Sequence, residues 1–162
     1  LVGKRDLSIT TEDAMVGHPP ARQIGTLPNT LSIWPFTIGM RRTKQMFFTG
    51  SSITGKKAEQ WGMVNEAVPT LELEDRVEKL AYDISLVPLN FLEIHKSMTN
   101  QFWKRLGYYD QLDRSLELNE LFHSCPEAQE FGRNVKEKGL KAAFDARDGK
   151  FGDYRTSTKK PV

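Results

Sequence analysis

From about residue 70 onward, apolar side chains recur at helical spacing with few interruptions. Two stripes repeat every three or four residues: Leu73, Val77, Leu80 and Ile84 in the first, and Phe91, Ile94, Met98 and Phe102 in the second. This spacing places the side chains of each stripe on one face of a helix. Pro88, Gly107 and Gly139 separate successive segments, because proline and glycine commonly end helices. The back of the chain is therefore predicted to be entirely helical.

The front of the chain is divided instead by glycine and proline into short pieces. Leu7–Thr10 alternates apolar and polar side chains and predicts a strand. Thr54 stands where an N-cap is needed for a helix over Gly55–Trp61, and Gly62 is placed to end that helix. Met63–Val68 predicts another short strand. The front is therefore predicted to be of the α/β type.

Together these patterns predict an α/β fold in two parts, residues 1–70 and residues 71–162. The apolar helix faces need more partner surface than one pair of strands can supply. We therefore expect a further part of the domain, or a partner subunit, to cover them. The first strand begins almost at once and the sequence opens on Leu1, so we expect the chain to start inside a domain.

Composition argues against several classes of partner. Lys and Arg number 23 and Asp and Glu 21, and the resulting formal charge of +2 is too small to indicate nucleic acid. Cys125 is the single cysteine, so neither a disulfide nor a Cys/His metal site is expected, and a reducing, cytoplasmic compartment is favoured. No apolar run approaches the ~18–20 residues that span a bilayer, so no membrane partner is expected.

Several segments, in order along the chain, resemble the crotonase (enoyl-CoA hydratase/isomerase) family. Asp6–Ala14 is similar to the strand and turn that follow the family's Gly-rich oxyanion segment, and Gly17–Arg22 falls at its Gly-x-Pro-Glu stretch. The most specific signal resembles the family pattern LTG…A…GLV…VP and comprises Thr49, Gly50, Ala58, Trp61–Asn65, Val68 and Pro69. The resemblance implies a partial crotonase-like ββα spiral over residues 1–70. Residues 71–162 would then be C-terminal α-helices for oligomerisation, in a homotrimer or hexamer, and for capping coenzyme A.

The resemblance also implies an acyl-CoA enzyme, with the coenzyme A thioester as substrate and no separate cofactor. In the family, two backbone N–H groups hold the thioester oxygen as it becomes an enolate. By alignment both donors, and one of the two hydratase glutamates, lie upstream of Leu1. The isolated chain is therefore expected to be inactive.

The second hydratase glutamate would fall at Pro20, which can neither accept nor donate a proton. Three alternatives follow: a single upstream acid, His18 as the proton carrier, or another reaction such as isomerisation or hydrolysis. His18 is the candidate catalytic residue, because it stands beside this position and can titrate near neutral pH; the alternative is a turn histidine that packs or meets solvent. The residues expected to contact substrate are Gly17, Pro19, Pro20, Arg22 and Trp34. For Arg22 a structural salt bridge is the alternative.

In the family an aromatic and a basic residue on the last helix, often from a neighbouring subunit, meet coenzyme A. Phe144 and Arg147 are three residues apart and share one helix face. They are offset by one from the family's position relative to Gly139, where Ala143 stands. Lys150 is a further candidate for a phosphate contact. The alternative is a core phenylalanine with a surface arginine.

Two functions of other classes remain open. The chain could be a non-catalytic crotonase-like subunit or oligomerisation module, which would form a stable assembly without acyl-CoA turnover. It could also be a helical interaction protein unrelated to the family, although the ordered matches from Asp6 to Pro69 argue against that.

Overall fold

The structure is a computed structural model that describes residues 6–25 and 32–152. The front part contains short strands and helices in this order: β1 (Ile9–Thr11), β2 (Met15–Gly17), a 3₁₀ turn (Pro19–Arg22), α1 (Trp34–Thr37), α2 (Met40–Thr49), β3 (Ser52–Thr54), α3 (Gly55–Trp61) and β4 (Glu66–Val68). The back part is helical: α4 (Leu73–Ser85), α5 (Leu89–Arg105), α6 (Tyr108–Ser124) and α7 (Pro126–Asp148), with 3₁₀ turns at Thr70–Glu72 and Gly149–Phe151. The predicted fold class, an α/β front followed by C-terminal helices, is confirmed.

The strands of the described residues pair in two small sheets. β1 and β4 run parallel with Ile9 opposite Glu66, and β2 and β3 run antiparallel with Met15 opposite Thr54. The parallel pair joins strands far apart in sequence, so α2 and α3 are carried in the connection between them. The antiparallel pairing of β2 with β3 places the start of β2 beside the start of α3, and it places the end of β2 and the turn that follows it near the end of α2.

The predicted strand limits are too wide at both ends of this unit. β1 begins at Ile9 rather than Leu7, and β4 begins at Glu66 rather than Met63. Gly62 adopts a left-handed backbone at the end of α3. The chain turns there, and Met63 and Val64 are buried in the core instead of entering the ladder.

The core of the front part lies between α1, α2 and α3. Met46 on α2 and Ala58 on α3 are fully buried at its centre. The buried members of this cluster are Trp34, Ile38, Met46, Ala58, Met63 and Val64. This packing fixes α1–α3 as a base on which the two small sheets are held.

The ends of α3 are formed as the sequence predicts. The side chain of Thr54 accepts a hydrogen bond from the backbone N–H of Lys57 at 3.3 Å, and Gly62 ends the helix at φ 76°. In the back part, Gly139 has φ 83° and ψ 161°, so α7 is two helical segments joined at a sharp bend. The predicted break at Gly139 is therefore confirmed.

The apolar stripe of α5 is not covered by the described residues. Its four predicted members are each more than half exposed: Phe91, Ile94, Met98 and Phe102. This agrees with the expectation that the back helices carry more apolar surface than the front part can bury. Among the described residues, no helix combines the length and apolarity needed to cross a bilayer.

Candidate functional site

His18 lies directly between β2 and the 3₁₀ turn, at a point where the chain passes close to β3. An added Cβ at Gly17 would lie 2.4 Å from Oγ of Ser52 and 2.6 Å from the carbonyl oxygen of Ser51. Glycine is therefore required at residue 17 so that β2 can approach β3. The substrate contact expected of Gly17 stays a prediction.

The His18 ring is buried, with 6% of the residue exposed. Its Nε2 lies 3.3 Å from the carbonyl oxygen of Gly25, an arrangement in which Nε2 carries the hydrogen and Nδ1 keeps its lone pair. Burial lowers the pKa of His18 below its usual 6.5, the positive charge of Arg147 lowers it further, and the bond to Gly25 opposes both. His18 is therefore neutral at pH 7. Its ring packs within the turn, and the catalytic role expected of it stays a prediction.

The stability of the fold should fall in mild acid because of His18. Its pKa is lower in the folded chain than the unfolded value of 6.5, so the unfolded state binds the proton more readily. The free energy of unfolding should therefore decrease as pH falls below about 6.5, by at most about 1.4 kcal/mol per pH unit for one proton. Thermal melts between about pH 5 and 7.5 should show this dependence in the wild type and lose it in His18→Gln. His95→Gln, at an exposed position, is the control, and equal pH dependence in all three proteins would contradict the assignment.

Arg22, the last residue of the 3₁₀ turn, is buried in an ion pair. Its Nη1 lies 3.0 Å from Oδ1 of Asp148, with side-chain exposures of 5% and 1%. Its Nε donates to the carbonyl oxygen of Thr49 at 3.0 Å, and the ring of Phe151 lies 4.0 Å from its guanidinium carbon. The salt bridge considered for Arg22 is thus present, while its contact with substrate stays a prediction.

Arg147 is also buried, because its guanidinium shares the Asp148 carboxylate. Its Nε and Nη2 donate to the two carboxylate oxygens at 2.8 Å and 2.7 Å. Its guanidinium carbon lies 4.9 Å from the ring centre of Phe144 and 5.9 Å from that of Phe131. Among the described residues its Nη1 has no hydrogen-bond partner.

This burial bears on the coenzyme A residues expected on the last helix. Arg147 is 3% exposed, so the alternative considered for this pair, a core phenylalanine with a surface arginine, is not what the structure shows. The guanidinium instead points inward to the adjacent carboxylate of Asp148. Phe144 does share a helix face with Arg147, as predicted. Of the two cations predicted to meet coenzyme A, Arg147 and Lys150, the exposed one is Lys150. Its Nζ lies 5.6 Å from the ring centre of Phe151. Contact of these residues with coenzyme A stays a prediction.

Asp148 is the residue at this site that sequence reasoning missed. Burial alone would raise the pKa of its carboxyl, but hydrogen bonds and charge from Arg147 and Arg22 outweigh it, and the pKa lies below its usual value of 3.8. The carboxylate is therefore ionised at neutral pH. No local pattern marks it, because Arg22 is 126 residues away in sequence.

Pro20 lies in the turn between His18 and Arg22, whereas Trp34 lies in the core of the front part. The carbonyl oxygen of Pro20 accepts backbone N–H groups of Ile24 and Gly25 at 2.8 Å and 3.1 Å, which closes the turn. Trp34 is 4% exposed and stacks on Phe47 with ring centres 5.6 Å apart. It lines a groove of about 640 Å³ that continues to Trp103 and Tyr108, where neither His18 nor Pro20 lies. The structure therefore gathers His18, Arg22 and Arg147, and leaves Trp34 apart from them.

No group of three or more His, Cys, Asp or Glu side chains within residues 6–25 and 32–152 could hold a metal ion. The structure brings the buried, neutral imidazole of His18 near the buried cluster of Arg22, Asp148 and Arg147. In such an arrangement the imidazole of His18 can transfer a proton, while the ion pair of Arg22 holds the turn that follows His18.

The sequence profile of the enoyl-CoA hydratase/isomerase family matches residues 2–153 of the chain. The chain belongs to this family. The crystal structure of an enoyl-CoA hydratase from Mycobacterium smegmatis superposes on it with a TM-score of 0.88 at 30% identity, over 96% of this chain and 53% of that one. A Mycobacterium tuberculosis protein named as an enoyl-CoA hydratase is 27% identical over 119 residues, 74% of this chain and 37% of the relative. A Dictyostelium discoideum protein named as a mitochondrial enoyl-CoA hydratase is 26% identical over 145 residues, 88% of this chain and 48% of the relative.

These comparisons confirm the predicted family and the crotonase-type α/β fold of this enoyl-CoA hydratase/isomerase family member. The chain spans about half the length, or less, of the relatives named here. Likeness of this kind assigns no role to a single residue. The catalytic, substrate and coenzyme A residues therefore rest on the geometry above and on the proposals below.

Proposed function

We propose that the protein to which these residues belong acts on an acyl-CoA thioester through an enolate. The observation that carries this proposal is the family match along almost the whole chain, together with the superposition on an enoyl-CoA hydratase. Two backbone amides would hold the oxygen on which negative charge develops, and one such donor is typically worth about 10²–10³ in rate. We place both amides outside residues 6–25 and 32–152.

Within this chain we assign proton transfer to His18. A buried imidazole with Nε2–H directed at Gly25 keeps Nδ1 available to accept a proton from carbon. Its lowered pKa keeps the ring in the neutral form, the form that a base needs, at pH 7. Pro20, two residues away, supplies no acid or base, and we therefore favour isomerisation or hydrolysis over the two-glutamate addition of water.

For coenzyme A we propose that the end of α7 meets the nucleotide part of the substrate. Lys150 is exposed and positive there, as binding of a phosphate requires. Phe144, near the end of α7, is half-buried and would offer a ring on which an adenine can stack. A phosphate contact by Arg147 would require its bonds to Asp148 to open, so Lys150 is the stronger candidate.

A turnover screen of the whole protein on a panel of acyl- and enoyl-CoA thioesters tests this function. We expect turnover of at least one thioester, and a loss of about 10²–10⁴-fold in kcat for His18→Gln, the range typical of a positioned acid or base. His123→Gln, on the exposed side of α6, is the matched control and should leave kcat unchanged. Water addition at a normal hydratase rate would contradict the interpretation of Pro20, and absence of turnover on the whole panel would contradict the function.

A second candidate function is supported by the uncovered helix faces. The four exposed apolar side chains along α5 suit a non-catalytic subunit or oligomerisation module, and in either case we propose assembly as a homotrimer or hexamer. Size-exclusion chromatography with light scattering tests the assembly. A stable trimer or hexamer without turnover would favour this function over the enzyme, and a monomer would contradict the assembly.

A further inference from the structure

The segment that carries the candidate catalytic residue is tied to the C-terminal helices at several points. We call residues 18–25 the His18 loop. Arg22 of this loop pairs with Asp148 at the end of α7, and Nε2 of Gln23 donates to the carbonyl oxygen of Glu127 at its start, at 3.1 Å. An added Cβ at Gly25 would lie 2.9 Å from Cβ of Phe122 on α6, so the loop backbone also packs directly on that helix.

We infer that Asp148 is a positioning residue that, through Arg22, fixes the His18 loop for the proposed acyl-CoA reaction. The inference rests on the proposed function, because it concerns the same site. It assigns to the end of α7 a role distinct from contact with coenzyme A.

The geometry around Arg22 supports this role, because the N–H groups of its guanidinium connect the 3₁₀ turn to two helices, α2 and α7. Nη1 reaches Asp148 on α7, and Nε reaches the carbonyl oxygen of Thr49 at the end of α2. The 3₁₀ turn that ends at Arg22 is thereby held to the front core and to the last helix at once. A planar guanidinium can hold two acceptors at fixed angles, which a lysine ammonium cannot do.

The surroundings of Asp148 make this link stiff. Its side chain is 1% exposed, and both oxygens accept bonds from Arg147 while Oδ1 also accepts from Arg22. Hydrogen bonds between charged groups away from water are stronger than those at the surface. By comparison, the pair between Arg76 of α4 and Glu66 of β4 is 37% and 32% exposed, and an ion pair at such a site contributes little.

Arg22→Lys in the whole protein is the sharpest test, because it keeps the positive charge but removes the planar guanidinium that donates to two acceptors. We expect the loop to loosen and the His18 ring to become hydrated. Its pKa, measured by NMR titration, should then rise toward 6.5, since burial is the main cause of its depression.

The same variant should lower kcat about 10- to 100-fold with a smaller change in KM, because misplacement of a reacting group acts on the chemical step. Asp148→Asn should act in the same direction on both the His18 pKa and kcat, and Glu66→Gln, which breaks the Arg76 pair, should change neither.

If Asp148 acted through its charge alone, Asp148→Asn would lower the pKa of His18, because the positive charges of Arg147 and Arg22 would be less compensated. A lowered or unchanged pKa overturns the inference, as does an unchanged kcat. If the wild type turns over no thioester, the proposed function fails, whereas the NMR result still decides whether Asp148 fixes the loop.

Discussion

Replacing Asp148 with alanine is expected to lower the free energy of unfolding by about 3–5 kcal/mol, as is usual when one partner of a buried ion pair is removed. The carboxylate is the acceptor for two guanidinium groups whose side chains are 5% and 2% exposed, those of Arg22 and Arg147. Without it, Arg147 would keep a positive charge in a position that water barely reaches. Desolvation of an unpaired charge is the physical reason for the large effect.

Urea denaturation at pH 7 measures this loss, and Glu66→Ala provides the matched control. Glu66 pairs with Arg76 at a half-exposed site, so its removal should cost no more than about 1 kcal/mol. The difference in the free energy of unfolding between the wild type and Asp148→Ala should become smaller in acid. Because the folded-state pKa of Asp148 lies below 3.8, its contribution is present above that pH and is lost as pH falls through the folded-state pKa. Equal losses for the two variants at pH 7 would contradict the buried charge cluster.

Replacing Gly55 with alanine is expected to destabilise the chain by about 3 kcal/mol or more, the upper range for overpacking a rigid site. Gly55 opens α3 directly under β1, and an added Cβ would lie 1.9 Å from the carbonyl oxygen of Thr11 and 2.9 Å from Cγ2 of Thr10. The first of these atoms belongs to the backbone and cannot rotate away. Relief would require β1 to move from β4, with which it pairs.

The contrast with Gly132 makes this prediction specific. Gly132 lies within α7, and an added Cβ there would meet nothing within 4 Å. Gly132→Ala should therefore raise the free energy of unfolding by about 0.5–1 kcal/mol, through helix propensity alone. Relative to the wild type, the melting temperatures of the two variants should shift in opposite directions. A stabilising Gly55→Ala would show that α3 does not approach β1 as closely as described.

Because the His18 loop contacts several other elements, changes that destabilise those elements are also expected to affect the proposed function. The loop is short and has little regular structure beyond the 3₁₀ turn at Pro19–Arg22, so its position depends on what packs against it. Those partners are the end of α2, α6 and both ends of α7. A change far from His18 in sequence can therefore alter the site.

Local structure could be predicted from the sequence wherever neighbours along the chain determine it. The cap at Thr54, the left-handed end at Gly62 and the break at Gly139 were all predictable, because each depends on residues within a few positions. The helical stripes of α4 and α5 follow from spacing alone. The strand limits at Leu7 and Met63 were wrong, because pairing with a distant strand decides which residues join a ladder.

The sequence by itself thus determined the family, the α/β front and the helical back of this protein. Only the tertiary structure decided that Arg147 is buried, that Trp34 belongs to the core, and that Arg22 meets Asp148 across 126 residues. The physical reason is that charge pairing and burial depend on which distant surfaces come together. Periodicity and caps record only the preferences of neighbouring residues.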